Sequence, residues 1–234
     1  MPDTILFDMD GLMFDTELLN QQITIQTCLD YGYTLPLADF RRTIGEGRAV
    51  TYGVFRECFG DGFSMEEYLI IQGEIHARTL SYAQTQPVPK KKGLDTLLAY
   101  LTENGYCMGL CTSSALLHAQ WFLDSVGIRP LFSAIVGGDM VEQHKPHPAP
   151  YEALVALLGV QKSQCLVLED GNNGILSAHR AGLQAVMIPD ILPPTQEARA
   201  YSYAVVDSLL DVPPILDTLR AGESPTNSAS SKSG

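Results

Sequence analysis

From Gly93 onward, short apolar runs alternate with stretches of helical periodicity, and that alternation leaves few folds open to the chain. A helix over Leu94–Glu103 is predicted before a strand at Tyr106–Cys111, and a helix over Ala115–Val126 before a strand at Ala134–Val136. The same order recurs with Ala149–Leu158 before Leu166–Leu168 and with Asn173–Ala181 before Ala185–Ile188. A last strand, Ala204–Val206, precedes a helix over Leu209–Leu219. Strands alternating with helices predict a parallel sheet covered on both faces, a doubly wound, Rossmann-like α/β core.

One apolar run, Ile5-Leu6-Phe7, lies far upstream of the rest. Between it and the alternating region the period is helical, with Ile23, Thr27 and Tyr31, or Tyr68, Ile71 and Ile75, at three- and four-residue spacing. Helices are expected at Glu17–Tyr31, Ala38–Ile44, Val50–Phe59 and Met65–Tyr82. Gln86-Pro87-Val88-Pro89 ends that pattern, because proline lacks a donor and restricts the residue before it. The expected organisation is a core of residues 1–15 and 86–222, a small all-helical insert over 16–85, and a disordered tail over 223–234.

The first strand ends in Asp8-Met9-Asp10-Gly11. Residues two apart on a strand face one way, so two carboxylates crowd together and cannot both stay ionised without a cation or a shared proton. Strand carboxyl ends are also where open α/β sheets place their chemistry. Three further signals follow in order. Tyr106–Cys111 runs into Thr112-Ser113-Ser114; Lys145 opens Lys145-Pro-His-Pro-Ala-Pro-Tyr151; and Cys165-Leu-Val-Leu ends in Glu169-Asp170-Gly-Asn-Asn-Gly174.

This ordered set resembles the haloacid dehalogenase (HAD) superfamily, over about residues 4–220. The helical insert is similar to the cap of its phosphoglucomutase-like phosphatase branch. The resemblance implies a magnesium-dependent phosphomonoester hydrolase that acts on a small phosphorylated metabolite, such as a sugar phosphate, through an aspartyl phosphate. Asp8 is the expected nucleophile. Asp10 is the expected general acid and base, a role that contributes roughly 10²–10⁴-fold in rate. By resemblance, Mg²⁺ is held by Asp8, by the backbone carbonyl of Asp10 and by Asp170, with Glu169 assisting through water. All-oxygen ligands suit Mg²⁺ better than zinc. Thr112 and the Ser113 backbone N–H are expected on the phosphoryl group, and Lys145 as a point charge between nucleophile and phosphoryl oxygens. Ser114 is expected beside them or capping the next helix, and Asn172 is a candidate cap for the helix that follows Asp170.

Within the superfamily, Asp10 disfavours dehalogenases. A β-phosphoglucomutase-like phosphotransferase is the alternative, because Arg48 in Gly45-Glu-Gly-Arg48 resembles the cap arginine of those enzymes. Yet Asn20 occupies the position of their hinge histidine, and no lysine lies between Asp15 and Pro89. Asn20 and Arg48 are the candidate substrate contacts in the insert. His76 is a weaker candidate there, and Lys90-Lys91-Lys92 reads as solvated surface.

Composition bounds the partners. A net charge of −12 disfavours nucleic acid and anionic membranes. No apolar run approaches the roughly 18 residues of a membrane span. Five scattered cysteines and an amino terminus without a basic stretch fit a reduced, cytoplasmic protein, expected as a monomer. Cys107 and Cys111, about 13 Å apart on an extended strand, are too distant to share a disulfide or a metal.

Overall fold

The computed structural model describes residues 1–44 and 46–221. The expected tail lies outside the described residues, as does Gly45. The chain divides into two compact units, one of residues 1–14, 90–123 and 127 onward, the other of residues 15–89 with 124–126.

The larger unit is built on six strands: β1 (Thr4–Phe7), β2 (Cys107–Cys111), β3 (Ala134–Val136), β4 (Cys165–Glu169), β5 (Gln184–Met187) and β6 (Ala204–Val205). They lie in the order β3-β2-β1-β4-β5-β6, and every pair is parallel. The α/β fold class read from the alternation is therefore present. A strand covered on both faces needs apolar residues at every position rather than alternate ones. Ile5, Leu6, Phe7, Leu166, Val167 and Leu168 satisfy this and are fully buried.

Phe7 pairs with Leu110 on one side and Leu168 on the other. The ends of β1, β2 and β4 therefore come level, and the residues just beyond them share one edge of the sheet. Chain order reverses about β1, which puts a crevice at that edge, the usual ligand site of a doubly wound fold.

The smaller unit holds α1 (Thr16–Asp30), α2 (Leu37–Arg41), α3 (Arg48–Phe59) and α4 (Met65–Thr85). Its core gathers Cys28, Leu35, Phe40, Phe55, Phe63, Tyr68, Ile71 and Ile75, with Tyr33 stacked on Phe59 at 4.6 Å. Ser64 and Glu67 close a reciprocal capping box at the start of α4. The larger unit carries α5 (Leu94–Glu103), α6 (Leu116–Ser125, whose last two residues group with the smaller unit), α7 (Ala149–Leu158), α8 (Asn172–Arg180), α9 (Gln196–Tyr201) and α10 (Val212–Ala221).

Three expectations need correction. Helix α9 was not foreseen, because six residues give too little periodicity to read after Pro193-Pro194. The second helix ends at Arg41 rather than Ile44. The first turn expected of the last helix is a 3₁₀ turn, Leu209–Asp211. Among the described residues no helix is long and apolar enough to cross a membrane. The five cysteines are all free.

Candidate active site

Asp8 follows β1 directly, and its backbone N–H donates to the Leu168 carbonyl at 3.0 Å, which fixes it beside the end of β4. Lys145 reaches this point from the loop before α7. Its Nζ donates to Asp8 Oδ1 at 2.6 Å, to Glu169 Oε1 at 2.6 Å and to the Cys111 carbonyl at 3.0 Å. All three side chains are buried, with 7% exposure for Lys145 and 2% for Glu169. Tyr151, fully buried on the first turn of α7, donates its hydroxyl to the same Glu169 oxygen at 2.5 Å. Its ring lies 4.9 Å from Lys145 Nζ. Sequence reasoning gave Tyr151 no role, though it closes the Lys145 segment by position.

Asp170 completes the acidic group: one carboxylate oxygen each of Asp8, Glu169 and Asp170 lie within 4.8 Å of one another. Two glycines make room for them. At Gly11, where φ is +85°, an added Cβ would stand 2.3 Å from Asp170 Oδ2. At Gly174 it would fall 2.0 Å from the Glu169 carboxyl. A side chain at either position would displace a carboxylate.

The charges do not balance. Three carboxylates face a single ammonium in a buried site. Burial above all, with Glu169 and Asp10 adding to it against Lys145, pushes the Asp8 carboxyl up to about 8. Burial and then the neighbouring Asp8 and Glu169 raise Asp170 well above the carboxylate range. For Lys145 burial alone would lower the pKa, but Asp8 and Glu169 outweigh it and hold the ammonium charged. Tyr151 is raised by burial and by Glu169, so it remains a neutral donor. A hard divalent cation would let the carboxylates ionise together, and carboxylate oxygens are the ligands such a cation prefers. The donor set fits Mg²⁺.

Asp10 is held apart from this group. Its Oδ2 accepts from the Thr112 hydroxyl at 3.1 Å and from the Ser114 hydroxyl at 2.9 Å, and the Ser114 N–H donates to Thr112 Oγ1 at 3.0 Å. Ser113 is exposed between them. Ser114 does not cap the next helix. The Leu116 N–H instead donates to Asp139 Oδ1 at 2.8 Å. Nor does Asn172 cap α8, since it is the first helical residue and its side chain bonds Thr195 N–H and the Pro193 carbonyl. Lys91 is not simply solvated surface, because it pairs with Asp190 and is 22% exposed.

Asn20 and Arg48 belong to the smaller unit. With Thr24, Phe40, Tyr68 and Gln72 among others, they line a cavity of about 300 Å³ there. His76 is exposed on α4.

Residues 5–188 match the model of the haloacid dehalogenase-like hydrolases. The chain belongs to that family. It is 33% identical over 217 residues to a Drosophila melanogaster protein named "Probable pseudouridine-5'-phosphatase", covering 89% of this chain and 90% of the relative. It is 27% identical over 184 residues to the fructose-1-phosphate phosphatase YqaB of Escherichia coli, covering 78% and 94%. In three dimensions it superposes on CbbY from Rhodobacter sphaeroides with a TM-score of 0.75 at 23% identity, over 91% of this chain and 96% of the other, which speaks to the fold. The protein is a phosphatase of the HAD superfamily, a group that hydrolyses small phosphate esters and generally uses a divalent metal.

Proposed function

We propose that this phosphatase is Mg²⁺-dependent and cleaves a small phosphorylated metabolite, a sugar phosphate or a similar monoester, through an aspartyl phosphate on Asp8. The observation that carries the reading is Lys145 Nζ at 2.6 Å from both Asp8 and Glu169 in a buried site. Lys145 occupies Asp8 Oδ1 and leaves Oδ2 for attack on phosphorus. The new bond joins that oxygen to phosphorus, and the bond to the leaving oxygen breaks. The ammonium offsets charge on the phosphoryl oxygens as it builds. Thr112 and Ser114 both engage Asp10 Oδ2, so Oδ1 is the atom that gives a proton to the departing alkoxide and then takes one from water. That water cleaves the aspartyl phosphate and restores the Asp8 carboxylate.

Asp8, Asp170 and the Asp10 carbonyl would hold Mg²⁺, with Glu169 supporting it. When bound, the cation neutralises the carboxylates and polarises the phosphoryl group. Ser113 adds its backbone N–H to the phosphoryl site. Residues 16–85 act as the cap in this reading, with Asn20 and Arg48 as substrate contacts. Hydrolysis is favoured over phosphotransfer of the β-phosphoglucomutase kind because residues 16–85 contain no lysine and Asn20 stands at the hinge-histidine position.

The test is phosphate release from a panel of phosphorylated metabolites, with Mg²⁺ or with EDTA. Release should require Mg²⁺, and Asp8→Asn should abolish it while the fold survives. Turnover in EDTA, or substantial turnover by Asp8→Asn, would refute the assignment.

A further inference from the structure

Asp190 follows β5 by three residues, where the Ile188 N–H donates to the Glu169 carbonyl at 2.7 Å and holds this segment against the end of β4. Its Oδ1 accepts from Lys91 Nζ at 2.5 Å, and Lys91 is itself fixed by a backbone bond from its N–H to the Met13 carbonyl at 2.8 Å. The other oxygen, Oδ2, is buried and has no hydrogen-bond partner among the described residues. A buried carboxylate oxygen without a donor is costly, and each such atom calls for an explanation.

Position supplies one. The point where a Cβ on Gly11 would stand lies 2.3 Å from Asp170 Oδ2 and 3.3 Å from Asp190 Oδ2. The two oxygens therefore flank the same glycine, separated by no more than the sum of those distances. Gly11 and Asp190 also border a cavity of about 320 Å³ with Lys91, Lys92 and Asp207, open enough for water. Mg²⁺ gives up its water reluctantly and usually keeps several water ligands, and those waters need acceptors around them.

We infer that Asp190 is a positioning residue of the metal site: Lys91 anchors one of its oxygens so that the other, beside Asp170, accepts from the hydration shell of the cation. The inference rests on the Mg²⁺ reading above. It separates two duties within one carboxylate. The Lys91 contact sets its orientation, and Oδ2 serves the ion. Lys91 acts only through the carboxylate, so its loss should cost less affinity than loss of the carboxylate itself.

The experiment uses Mn²⁺ as the probe. Loss of its free-ion paramagnetic resonance signal is followed in the metal-free full-length protein, with Mg²⁺ as competitor. Outer-layer partners are typically worth about 10–100-fold in metal affinity. Asp190→Asn should accordingly weaken binding by about tenfold or more, with the thermal midpoint of the metal-free protein little changed. Lys91→Met should keep affinity within about threefold, and Asp207→Asn, an exposed carboxylate on the same cavity, should leave it unaltered. Unchanged affinity in Asp190→Asn overturns the inference. So does an equal loss in Lys91→Met, which would make the pair a structural tie, or in Asp207→Asn, which would make the effect one of bulk charge. Failure of the unsubstituted protein to bind either ion would overturn the metal assignment itself, a separate result.

Discussion

Tyr151→Phe isolates a single hydroxyl in the most buried part of the site. The ring stays, so packing and the face presented to Lys145 at 4.9 Å are kept. What is lost is the donor to Glu169 Oε1, an oxygen that then has Lys145 alone. A hydrogen bond to a charged group is worth about 1.5–3 kcal/mol net. Burial is nearly complete for both partners, with Tyr151 at 0% and Glu169 at 2% exposure, so screening offers no discount. A loss of about 2 kcal/mol is expected, or about 4–8 °C in thermal midpoint at about 2–4 °C per kcal/mol for a chain of this size. The assay is thermal unfolding of the metal-free protein followed by near-ultraviolet circular dichroism, in a cycle with Glu169→Gln and the double variant. Coupling of about 1 kcal/mol or more is the expected outcome, since residues sharing one network are not additive. If Tyr151→Phe costs less than about 0.5 kcal/mol, or the two changes simply add, Tyr151 does not support Glu169 and the network drawn here is wrong.

Gly11→Ala places a methyl group against the Asp170 carboxylate at a φ of +85° that costs an alanine about 1–2 kcal/mol. It should weaken Mn²⁺ binding about tenfold or more, and normal affinity would show that Asp170 is free to move aside. The raised Asp8 pKa makes the protonated form the stable one in the folded, metal-free protein. Its stabilisation is complete below the ordinary carboxylate pKa of 3.8 and disappears as pH rises through about 8. The metal-free thermal midpoint should therefore fall between about pH 4 and 8, and Mg²⁺ binding near pH 7 should release protons. Calorimetric heats that do not depend on the buffer's ionisation enthalpy would contradict this. β-Glucose 1-phosphate supplied with a bisphosphate primer should yield little glucose 6-phosphate. Isomerisation faster than phosphate release would favour the mutase alternative.

What could be read from the residues in order was what depends on local period. Alternating strand and helix gave the parallel sheet, and Asp8, Thr112, Glu169 and Asp170 were legible because each stands where an apolar run stops. Partners chosen by the packing of distant segments were not. Tyr151 drew no role from its place in the sequence, and only the placement of α7 against β2 and β3 brings its hydroxyl to residue 169. For Ser114 the sequence left two places open, beside Thr112 or capping the next helix, because the local rule also favours serine as a cap. Asp139, 23 residues beyond Leu116, takes the Leu116 N–H and leaves Ser114 to Asp10. Asn172, a candidate cap by the same local rule, does not cap α8, because the loop it ties down leads into a helix too short to foresee.

The sheet order explains why the acids gather where they do. With β1 flanked by β2 and β4, the residues beyond three strand ends share one crevice, and each supplies a different part. β1 gives a carboxylate with one oxygen on Lys145 and one left over. β2 gives hydroxyls that hold Asp10 by a single oxygen, and β4 gives two adjacent acids. Lys145 could neutralise one carboxylate but bridges two, so the group carries excess negative charge whenever it is fully ionised. Burying charge without compensation is costly, and for stability alone an apolar cluster would serve better. A site that gathers three carboxylates, and clears Gly11 and Gly174 to make room for them, suits the cation that the proposed mechanism requires. Without a cation the Asp8 carboxyl, raised to about 8, keeps its proton at neutral pH and lacks the charge to attack phosphorus, so Mg²⁺ dependence should appear in turnover, and a metal that binds without displacing that proton should not restore it.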